Sequence, residues 1–425
     1  MAAAAEITNN RPPQLTSGDT MKAAANVLAF TLMVMPAAPL MAREPGEQAR
    51  RLHEQLLVLD THLDTPANFP RPGWEIVDNH VDQRDFSQVD LPRMRQGGLD
   101  GGFWVIYTGQ GDRSTQANLE ARDHGLARLA QIREMVAAHA DSFALAVRAD
   151  DAARIAAGGK RVVYISMENA SPLAADPSLL SAYQGLGLRM LGITHVRNNE
   201  FGDSSNTPPE WNGLSPAGRA LVAEANRLGI VLDASHASDE VFDQLLELSR
   251  SPIVLSHSGA DAIYAHARNI DDDRIRRLAA KGGVIQVNAY GGYLRPIEQS
   301  VERKAALDEL DERYGPQEAL DAAKIAALLR ERDAVDAKYP VEVATFDDYL
   351  RHLLHILKVA GPAHVGIGAD WDGGGGVAGL EDVSALPKIT QALLDAGYSE
   401  ADIAGIWGGN VLRVLRAAEA AAASH

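Results

Sequence analysis

The sequence predicts an α/β fold, a (β/α)₈ barrel of the TIM type with a helical insertion after its seventh strand. Eight short apolar segments alternate with Ala-, Leu- and Arg-rich helical segments from about residue 50 to the C-terminus. Strands that are apolar almost throughout are typical of a parallel sheet covered by helices. The 425-residue chain exceeds the ~250 residues usual for this barrel, so we expect insertions.

Each predicted strand is a short apolar run that ends in a polar or Gly-rich turn. The eight runs are LLVLD at 56–60, GGFWVIY at 101–107, RVVYIS at 161–166, LRMLGIT at 188–194, IVLDAS at 230–235, PIVLS at 252–256, GGVIQVN at 282–288 and HVGIGAD at 364–370. Helical segments such as GRALVAEANRLG and DDRIRRLAAKG separate them.

A strongly charged segment at 299–340 is helical in character and follows the seventh predicted strand. We expect it to cover the barrel mouth or to form a subunit contact, and a homodimer through it is the oligomer we expect. The next helical segment, YLRHLLHILK, carries His352 and His355 at i, i+3 spacing. This spacing could bind metal, but an amphipathic helix accounts for both residues.

Composition excludes several classes of function. The net charge of -17 disfavours nucleic acid and anionic membranes as partners, so we expect no nucleic-acid partner, although the charge says little about the substrate. The chain has no cysteine, which removes disulfides, thiol nucleophiles, cysteine zinc sites and lipid attachment at cysteine. Histidine, aspartate and glutamate remain as metal ligands.

The segment MKAAANVLAFTLMVMPAAPLMA, starting at Met21, predicts a secretory signal peptide. It has a short basic start, an apolar stretch and small residues near Ala42, and Pro36 and Pro39 interrupt it as a membrane span. We expect residues 1–42 to be leader and signal peptide, with a disordered Ala-rich leader as the alternative. Residues 43–425 would then form a single barrel domain, soluble, without a membrane anchor, and periplasmic or secreted.

Potential metal ligands follow six of the eight predicted strands, and four of the chain's 13 histidines are among them. The carboxyl ends of the strands form one rim of such a barrel, where active sites lie. These residues are His62 and Asp64 after the first strand, Glu168 after the third, His195 after the fourth, His236 after the fifth, His257 after the sixth, and Asp370 and Asp372 after the eighth.

This set of side chains indicates metal-assisted hydrolysis. Nitrogen and oxygen ligands without thiolate suit zinc, although manganese, cobalt and iron also fit. Two ions about 3.5–4 Å apart, bridged by a carboxylate, can share and deprotonate one water and polarise the carbonyl that it attacks. Asp370 would be free to move protons to the leaving group.

Other rim residues allow two interpretations. Trp104 and Tyr107 end the second strand and could line the pocket or plug the barrel, and we favour Tyr107 as a lining residue. Asp233 lies three residues before His236 and could orient it or simply sit in the strand. The GGGG run at 373–376 lacks the Gly-Lys-Ser/Thr of a phosphate loop, so we expect it to let the chain pass close to substrate or metal.

The ordered motifs DTHLDTP, MEN, GITH, NRLGIVLDASHAS, LSHSGADAIYAHARNIDDD, GIGADWDG and WGGNVLRVL resemble those of the membrane dipeptidase family, also called renal dipeptidases. The resemblance runs from about residue 50 to residue 415. It implies a zinc metallopeptidase that cleaves dipeptides, including those with a D-residue at the C-terminal position, by a hydroxide that bridges two Zn²⁺ ions.

Residue roles carried over from the resemblance fall on matching motif positions. It implies that His62 and Asp64 bind one zinc ion and that His236 and His257 bind the other. By the same resemblance, Glu168 bridges the two ions.

Three further roles are implied in the same way. His195 resembles the histidine that contacts the substrate and stabilises the tetrahedral intermediate, and Arg268 resembles the arginine that binds the dipeptide's carboxylate. Asp370 matches the aspartate that handles the proton. The chain departs from the family pattern at Leu63, where a polar residue is usual, and at Asn169, where a Gly-rich turn is usual.

Two alternatives remain open at this stage. One is a related barrel amidohydrolase that acts on lactams, lactones or N-acyl amino acids. The other is a non-peptidase tailoring protein of secondary metabolism, or a barrel that only binds its ligand.

Overall fold

The computed structural model describes residues 43–81 and 85–423, so the predicted leader and signal peptide lie outside the described residues. The strands of this part of the chain are β1 Leu59–Leu63, β2 Gly101–Tyr107, β3 Phe143–Leu145, β4 Arg161–Glu168, β5 Leu188–Gly192, β6 Val231–Asp233, β7 Val254–Ala260, β8 Asn269–Ile270, β9 Val284–Val287 and β10 Val365–Ile367.

Eight of these strands form a nearly closed parallel barrel in the order β1-β2-β4-β5-β6-β7-β9-β10. A parallel bridge between Leu63 and Trp371 brings the first strand to the chain that follows the last, and the Asp64 amide donates to the Trp371 carbonyl at 2.9 Å. The predicted barrel is therefore confirmed. The short strands β3 and β8, which pair with β4 and β7, were not predicted.

The first strand lies three residues later than the apolar run predicts. The run at 56–60 begins in the connection from the first helix, where the Val58 amide donates to the side chain of Asp100 instead of to a strand. Ladder pairing with β2 starts at Leu59 and extends to Leu63. The apolar run predicts the strand too early because the rim end of β1 carries polar residues. His62 is one of these residues and lies inside β1.

Helices cover the outside of the barrel. They are α1 Glu47–Gln55, α2 Leu91–Gln96, α3 Thr115–Ala138, α4 Asp151–Ala157, α5 Leu179–Gly185, α6 Pro216–Leu228, α7 Asp239–Leu248, α8 Asp272–Ala280, α9 Gly291–Leu294, α10 Val301–Tyr314, α11 Ala322–Lys338, α12 Phe346–Ala360, α13 Pro387–Asp395, α14 Glu400–Ala404 and α15 Asn410–Ala423. Ser114, Ser215 and Ser238 cap α3, α6 and α7 by accepting hydrogen bonds from first-turn amides. Among the described helices, none is long and apolar enough to cross a membrane.

The charged segment at 299–340 contains α10 and α11, which pack against each other through a small apolar cluster of their own. Phe86, from the connection between β1 and β2, packs against this cluster. Arg128 of α3 forms an ion pair with Glu318 at 2.7 Å and also donates to the carbonyl of Pro66, in the turn after β1. The segment therefore contacts the connection that follows β1 at the rim.

His352 and His355 are structural residues of α12. The Ala260 amide donates to Nδ1 of His352 at 3.0 Å, and Nε2 of His352 donates to the Leu294 carbonyl at 3.0 Å. His355 contacts Asp272 of α8 at 2.7 Å. Both histidines thus join α12 to neighbouring elements, in agreement with their assignment to an amphipathic helix.

A buried hydrogen-bond network connects α1 to the C-terminal helices. The Trp407 indole donates to Thr390 Oγ1 at 2.8 Å, and His53 Nε2 donates to the Gly97 carbonyl at 2.8 Å. The Thr390 hydroxyl therefore donates to His53 Nδ1, which lies 2.7 Å away.

Thr390→Val is expected to lower the free energy of unfolding by about 2–4 kcal/mol, because it leaves the His53 and Trp407 ring nitrogens buried and unpaired. Thr390→Ser keeps the hydroxyl and should lose only about 1 kcal/mol for the missing methyl group. Urea unfolding of both variants checks this, and equal losses would mean that the hydroxyl does not hold the network together.

Candidate metal centre

The barrel brings the five predicted metal ligands into one buried cluster at the carboxyl rim. They come from the ends of four strands: His62 in β1, Asp64 directly after it, Glu168 as the last residue of β4, His236 after β6, and His257 within β7. Each is less than a tenth exposed. Parallel strands place these residues side by side, although they are up to 195 positions apart along the chain.

His62 lies among three carboxylates. Its Nε2 atom is 3.3 Å from Asp64 Oδ2, 3.5 Å from Glu168 Oε2 and 3.9 Å from Asp370 Oδ1. This half of the cluster therefore presents one nitrogen and several oxygens to a common point.

The second oxygen of Glu168 faces two other imidazoles. Glu168 Oε1 lies 3.0 Å from His236 Nε2 and 3.4 Å from His257 Nε2, and these two nitrogens are 2.8 Å apart. Glu168 thus separates an oxygen-rich half of the cluster from a nitrogen-rich half, which is the arrangement that a bridging carboxylate requires.

The cluster fits divalent metal ions. Among the described residues, Asp64 Oδ1 is buried without a hydrogen-bond partner, and the close contacts of His62 Nε2 and Glu168 Oε1 do not have hydrogen-bond geometry. Buried polar atoms are rarely left unpaired, because the loss of hydration is then uncompensated. These residues offer nitrogen and oxygen donors, which zinc accepts in hydrolytic sites.

The histidines in the two halves of the cluster have pKa values shifted in opposite directions. Burial lowers the pKa of His62, but the carboxylates of Glu168 and Asp64 outweigh this effect and hold the pKa well above its usual value. This half therefore attracts positive charge, which a metal ion supplies in place of a proton. Burial and nearby positive charges hold the pKa values of His236 and His257 well below the usual range, so both rings stay neutral and can ligate.

Asp370 lies beside this cluster, close to His62. Burial raises its pKa, and although His62 and Arg268 oppose the effect, the charges of Asp64 and Glu168 reinforce it, so the pKa is well above the usual range. A carboxyl group that retains its proton is suited to proton transfer.

His195 follows β5 and its ring lies 4.2 Å from the ring of His236. Burial lowers its pKa, and its buried Nδ1 has no partner among the residues described. The half-buried ring of Tyr107 lies 5.1 Å from that of His195, and burial raises the pKa of Tyr107 to about 12. Trp104, in contrast, is fully buried in the core. Tyr107 is therefore at the site and Trp104 is not.

Arg268 is buried directly behind the cluster. Its guanidinium donates to the His257 carbonyl at 2.9 Å and lies over the ring of Tyr293 at 5.2 Å, and its Nε has no partner within 43–81 and 85–423. In that part of the chain it forms no ion pair. Burial lowers its pKa, but arginine keeps its charge in proteins, and a buried unpaired guanidinium is a site for a carboxylate.

The backbone is strained where the chain leaves the strands. Asn169, His236, Asp370 and Asp372 have φ values of 68°, 65°, 68° and 64°. Non-glycine residues adopt this region rarely, and they do so at sites that the surrounding structure constrains. At Asn169 the side chain supplies the constraint, because its Nδ2 donates to the Thr108 carbonyl at 2.7 Å.

Both departures from the family pattern have structural roles. Leu63 is fully buried and pairs with Trp104 of β2, while it bridges to Trp371 on its other side. Asn169 is also fully buried, and it holds the turn after Glu168. The side chain of Leu63 therefore serves the barrel core.

Asp233 does not contact His236. Its Oδ1 accepts from the amides of Ser235 at 2.9 Å and Ser256 at 2.8 Å, and its Oδ2 accepts from the Ser256 hydroxyl. Ser256 is absent from the sequence-based prediction, because a serine beside a ligand carries no signal of its own.

Gly373 begins the GGGG run and lies against two carboxylates. A Cβ built on it would overlap Asp64 Oδ2 and Asp370 Oδ1. The run thus lets the chain pass close to the cluster, as the sequence suggested.

An eight-stranded parallel barrel with nitrogen and oxygen ligands converging on its rim defines a metal-dependent hydrolase. The sequence profile of the membrane dipeptidase family, peptidase family M19, matches residues 46–425. The chain belongs to this family, whose activity is the metal-dependent hydrolysis of dipeptides. This confirms the resemblance and the predicted dipeptidase class, and the lactam, N-acyl amino acid and tailoring alternatives are not favoured.

Similar proteins include fungal and bacterial dipeptidases. Dipeptidase aclJ of Aspergillus oryzae is 30% identical over 421 residues, covering 96% of this chain and 89% of its own. The crystal structure of the probable dipeptidase PvdM from Pseudomonas aeruginosa is 32% identical, covers 88% of this chain and 98% of its own, and gives a TM-score of 0.74. The crystal structure of a metallopeptidase from Rhodobacter sphaeroides, bound to a phosphinate mimic of L-Ala-D-Ala, is 26% identical. It covers 85% of this chain and 99% of its own, and it gives a TM-score of 0.65.

Gly373→Ala is expected to weaken zinc binding about 10- to 100-fold, because the new methyl group displaces the carboxylates of Asp64 and Asp370. Competition with a chromophoric chelator measures the change. Gly185→Ala, at the end of α5 where an added Cβ meets no atom within 4 Å, is the matched control and should bind zinc like the unmodified chain. Unchanged affinity in Gly373→Ala would contradict the close packing of this loop on the cluster.

Proposed function

We propose that this chain hydrolyses dipeptides at a cluster that holds two zinc ions, and that it accepts a D-residue at the C-terminal position. The observation that carries the proposal is the Glu168 carboxylate, whose two oxygens face two separate ligand sets, with a buried unpaired Arg268 nearby. The likeness to a metallopeptidase that binds a mimic of L-Ala-D-Ala supports the choice of substrate.

Each side chain around the cluster has a part in the proposed reaction. His62 and Asp64 would hold one ion, His236 and His257 would hold the other, and Glu168 would contribute to both. Bound divalent ions supply Lewis acidity and a water of lowered pKa.

Substrate would be oriented by three residues of this chain. Arg268 binds the dipeptide's terminal carboxylate, which supplies the anion that the buried guanidinium lacks. His195 donates a hydrogen bond to the carbonyl oxygen as negative charge develops there. Asp370 transfers a proton to the departing amine, and Tyr107 lines the pocket beside His195.

Three further parts of the proposal concern the protein in its cell. Residues 1–42 would direct export to the periplasm or the medium, and 43–425 would form one soluble domain there without a membrane anchor. The segment at 299–340 would make the contact of a homodimer.

The purified chain is expected to contain two equivalents of zinc and to release amino acids from L-Ala-D-Ala. Mass spectrometry of metal content, paired with ninhydrin detection of product, measures both. Glu168→Ala should lose metal and activity together, because the shared ligand is missing. Retention of two equivalents in that variant would contradict the bridging role, and a fully metallated chain without turnover would contradict the substrate.

Asp370→Asn should lower kcat for L-Ala-D-Ala by about 10²–10⁴ and leave the zinc content intact, because the amide cannot transfer the proton. Steady-state kinetics and metal analysis on the same preparation check this. Asp273→Asn, in the exposed first turn of α8, is the matched control and should keep full activity. An Asp370→Asn variant with unchanged kcat would show that another group handles the proton.

A further inference from the structure

The hydroxyl of Ser256 lies between two of the cluster's histidines on the side away from Glu168. Ser256 Oγ is 2.9 Å from His257 Nδ1 and 3.4 Å from His62 Nδ1, and it donates to Asp233 Oδ2 at 2.5 Å. Ser256 is fully buried and Asp233 is 4% exposed. The hydroxyl therefore contacts one imidazole from each half of the cluster.

The hydrogen-bond inventory fixes the direction of these contacts. A hydroxyl offers one proton and two lone pairs, whereas an ionised carboxylate only accepts. Because a carboxylate oxygen can only accept, the 2.5 Å contact with Asp233 Oδ2 uses the one proton of the Ser256 hydroxyl. The two lone pairs of Ser256 Oγ are then left for His62 and His257, so both rings must carry their proton on Nδ1.

When Nδ1 keeps its proton, Nε2 is the ring nitrogen that can release a proton or offer its lone pair to a metal ion. The Nε2 atoms of His62 and His257 are the ones that face Glu168, at 3.5 Å and 3.4 Å. The tautomer that Ser256 selects is therefore the one that can bind metal in both halves of the cluster. His236 Nδ1, in contrast, has no partner among the described residues.

The Asp233–Ser256 pair is itself held rigidly. Asp233 Oδ1 accepts from two backbone amides, and Thr61 Oγ1 donates to the Ser256 carbonyl at 2.7 Å, which joins β7 to β1. The Ser235 hydroxyl accepts from the His257 amide at 3.0 Å. The hydroxyl of Ser256 thus has little freedom to turn away from the two rings.

We propose that Asp233 and Ser256 are positioning residues that set the tautomer of His62 and His257 together and so couple the two halves of the metal site. The inference rests on the proposed metal site, and it assigns to a buried serine and aspartate a role in metal affinity. Partners of this kind commonly change metal affinity 10- to 100-fold when they are removed.

The test uses the purified chain and three variants, with zinc as the probe. Ser256→Ala removes the hydroxyl that accepts from the two Nδ1 atoms. Asp233→Asn keeps the size of the side chain, but its NH₂ group would donate to Ser256 Oγ, so that the Ser256 proton would turn toward the histidine rings. Ser166→Ala is the matched control, a buried serine of β4 whose hydroxyl has no partner in the described part of the chain. Chelator competition measures zinc affinity and stoichiometry, and NMR of ¹⁵N-labelled histidine identifies the tautomers before and after zinc is added.

Ser256→Ala and Asp233→Asn are each expected to bind zinc about 10- to 100-fold more weakly than the unmodified chain. The NMR spectra should show that the Nδ1–H form of at least one of the two histidines is lost in the metal-free protein, while Ser166→Ala keeps both properties. The coupling role is overturned if both variants fold, bind two equivalents with unchanged affinity and keep both Nδ1–H tautomers. If the unmodified chain itself binds no zinc, the proposed function fails, and the inference fails with it.

Discussion

The carboxylate of Glu168 is the group on which the rest of the site depends. Its oxygens lie between His62 on one side and His236 with His257 on the other, and the side chain is buried. A buried carboxylate is costly unless opposite charge or hydrogen-bond donors surround it. Strands β1, β6 and β7 bring three imidazoles against Glu168, so the barrel must keep its register for the carboxylate to keep these neighbours.

The register of the strands also determines which residues lie beside Glu168. In the parallel ladder between β2 and β4, Tyr107 pairs with Glu168, the last residue of β4. The chain then turns sharply, and the side chain of Asn169 secures the turn. The strained backbone at His236 and Asp370 follows the same rule, since each residue must leave its strand while its side chain stays directed at the rim.

The connections at the rim are also joined to one another. The segment with α10 and α11 contacts Phe86 and pairs with Arg128 through Glu318, and Arg128 also reaches the turn after β1. This helical pair is thereby linked to the chain that carries His62 and Asp64. Glu318, between the two helices, also adds a small contribution to the raised pKa of Tyr107, which burial raises most.

By itself the sequence determined the eight-stranded alternation and which strands carry histidines and carboxylates toward the rim, because both are local properties of the chain. A local pattern can be recognised without knowing which strands pair. This holds for the apolar runs of five to seven residues and for the histidines and carboxylates that follow them. It also determined the glycine run at 373–376, whose place beside Asp64 follows from its position after the last strand.

Tertiary structure alone decided which oxygen of Glu168 faces which imidazoles, and it shifted β1 so that His62 lies inside the strand. It also revealed that Asp233 binds Ser256 instead of His236, and that Leu63 packs in the core. These facts depend on atoms that come together only when β1, β6 and β7 lie side by side. A serine 194 positions from His62 leaves no trace in a local pattern, since its role is created by the fold.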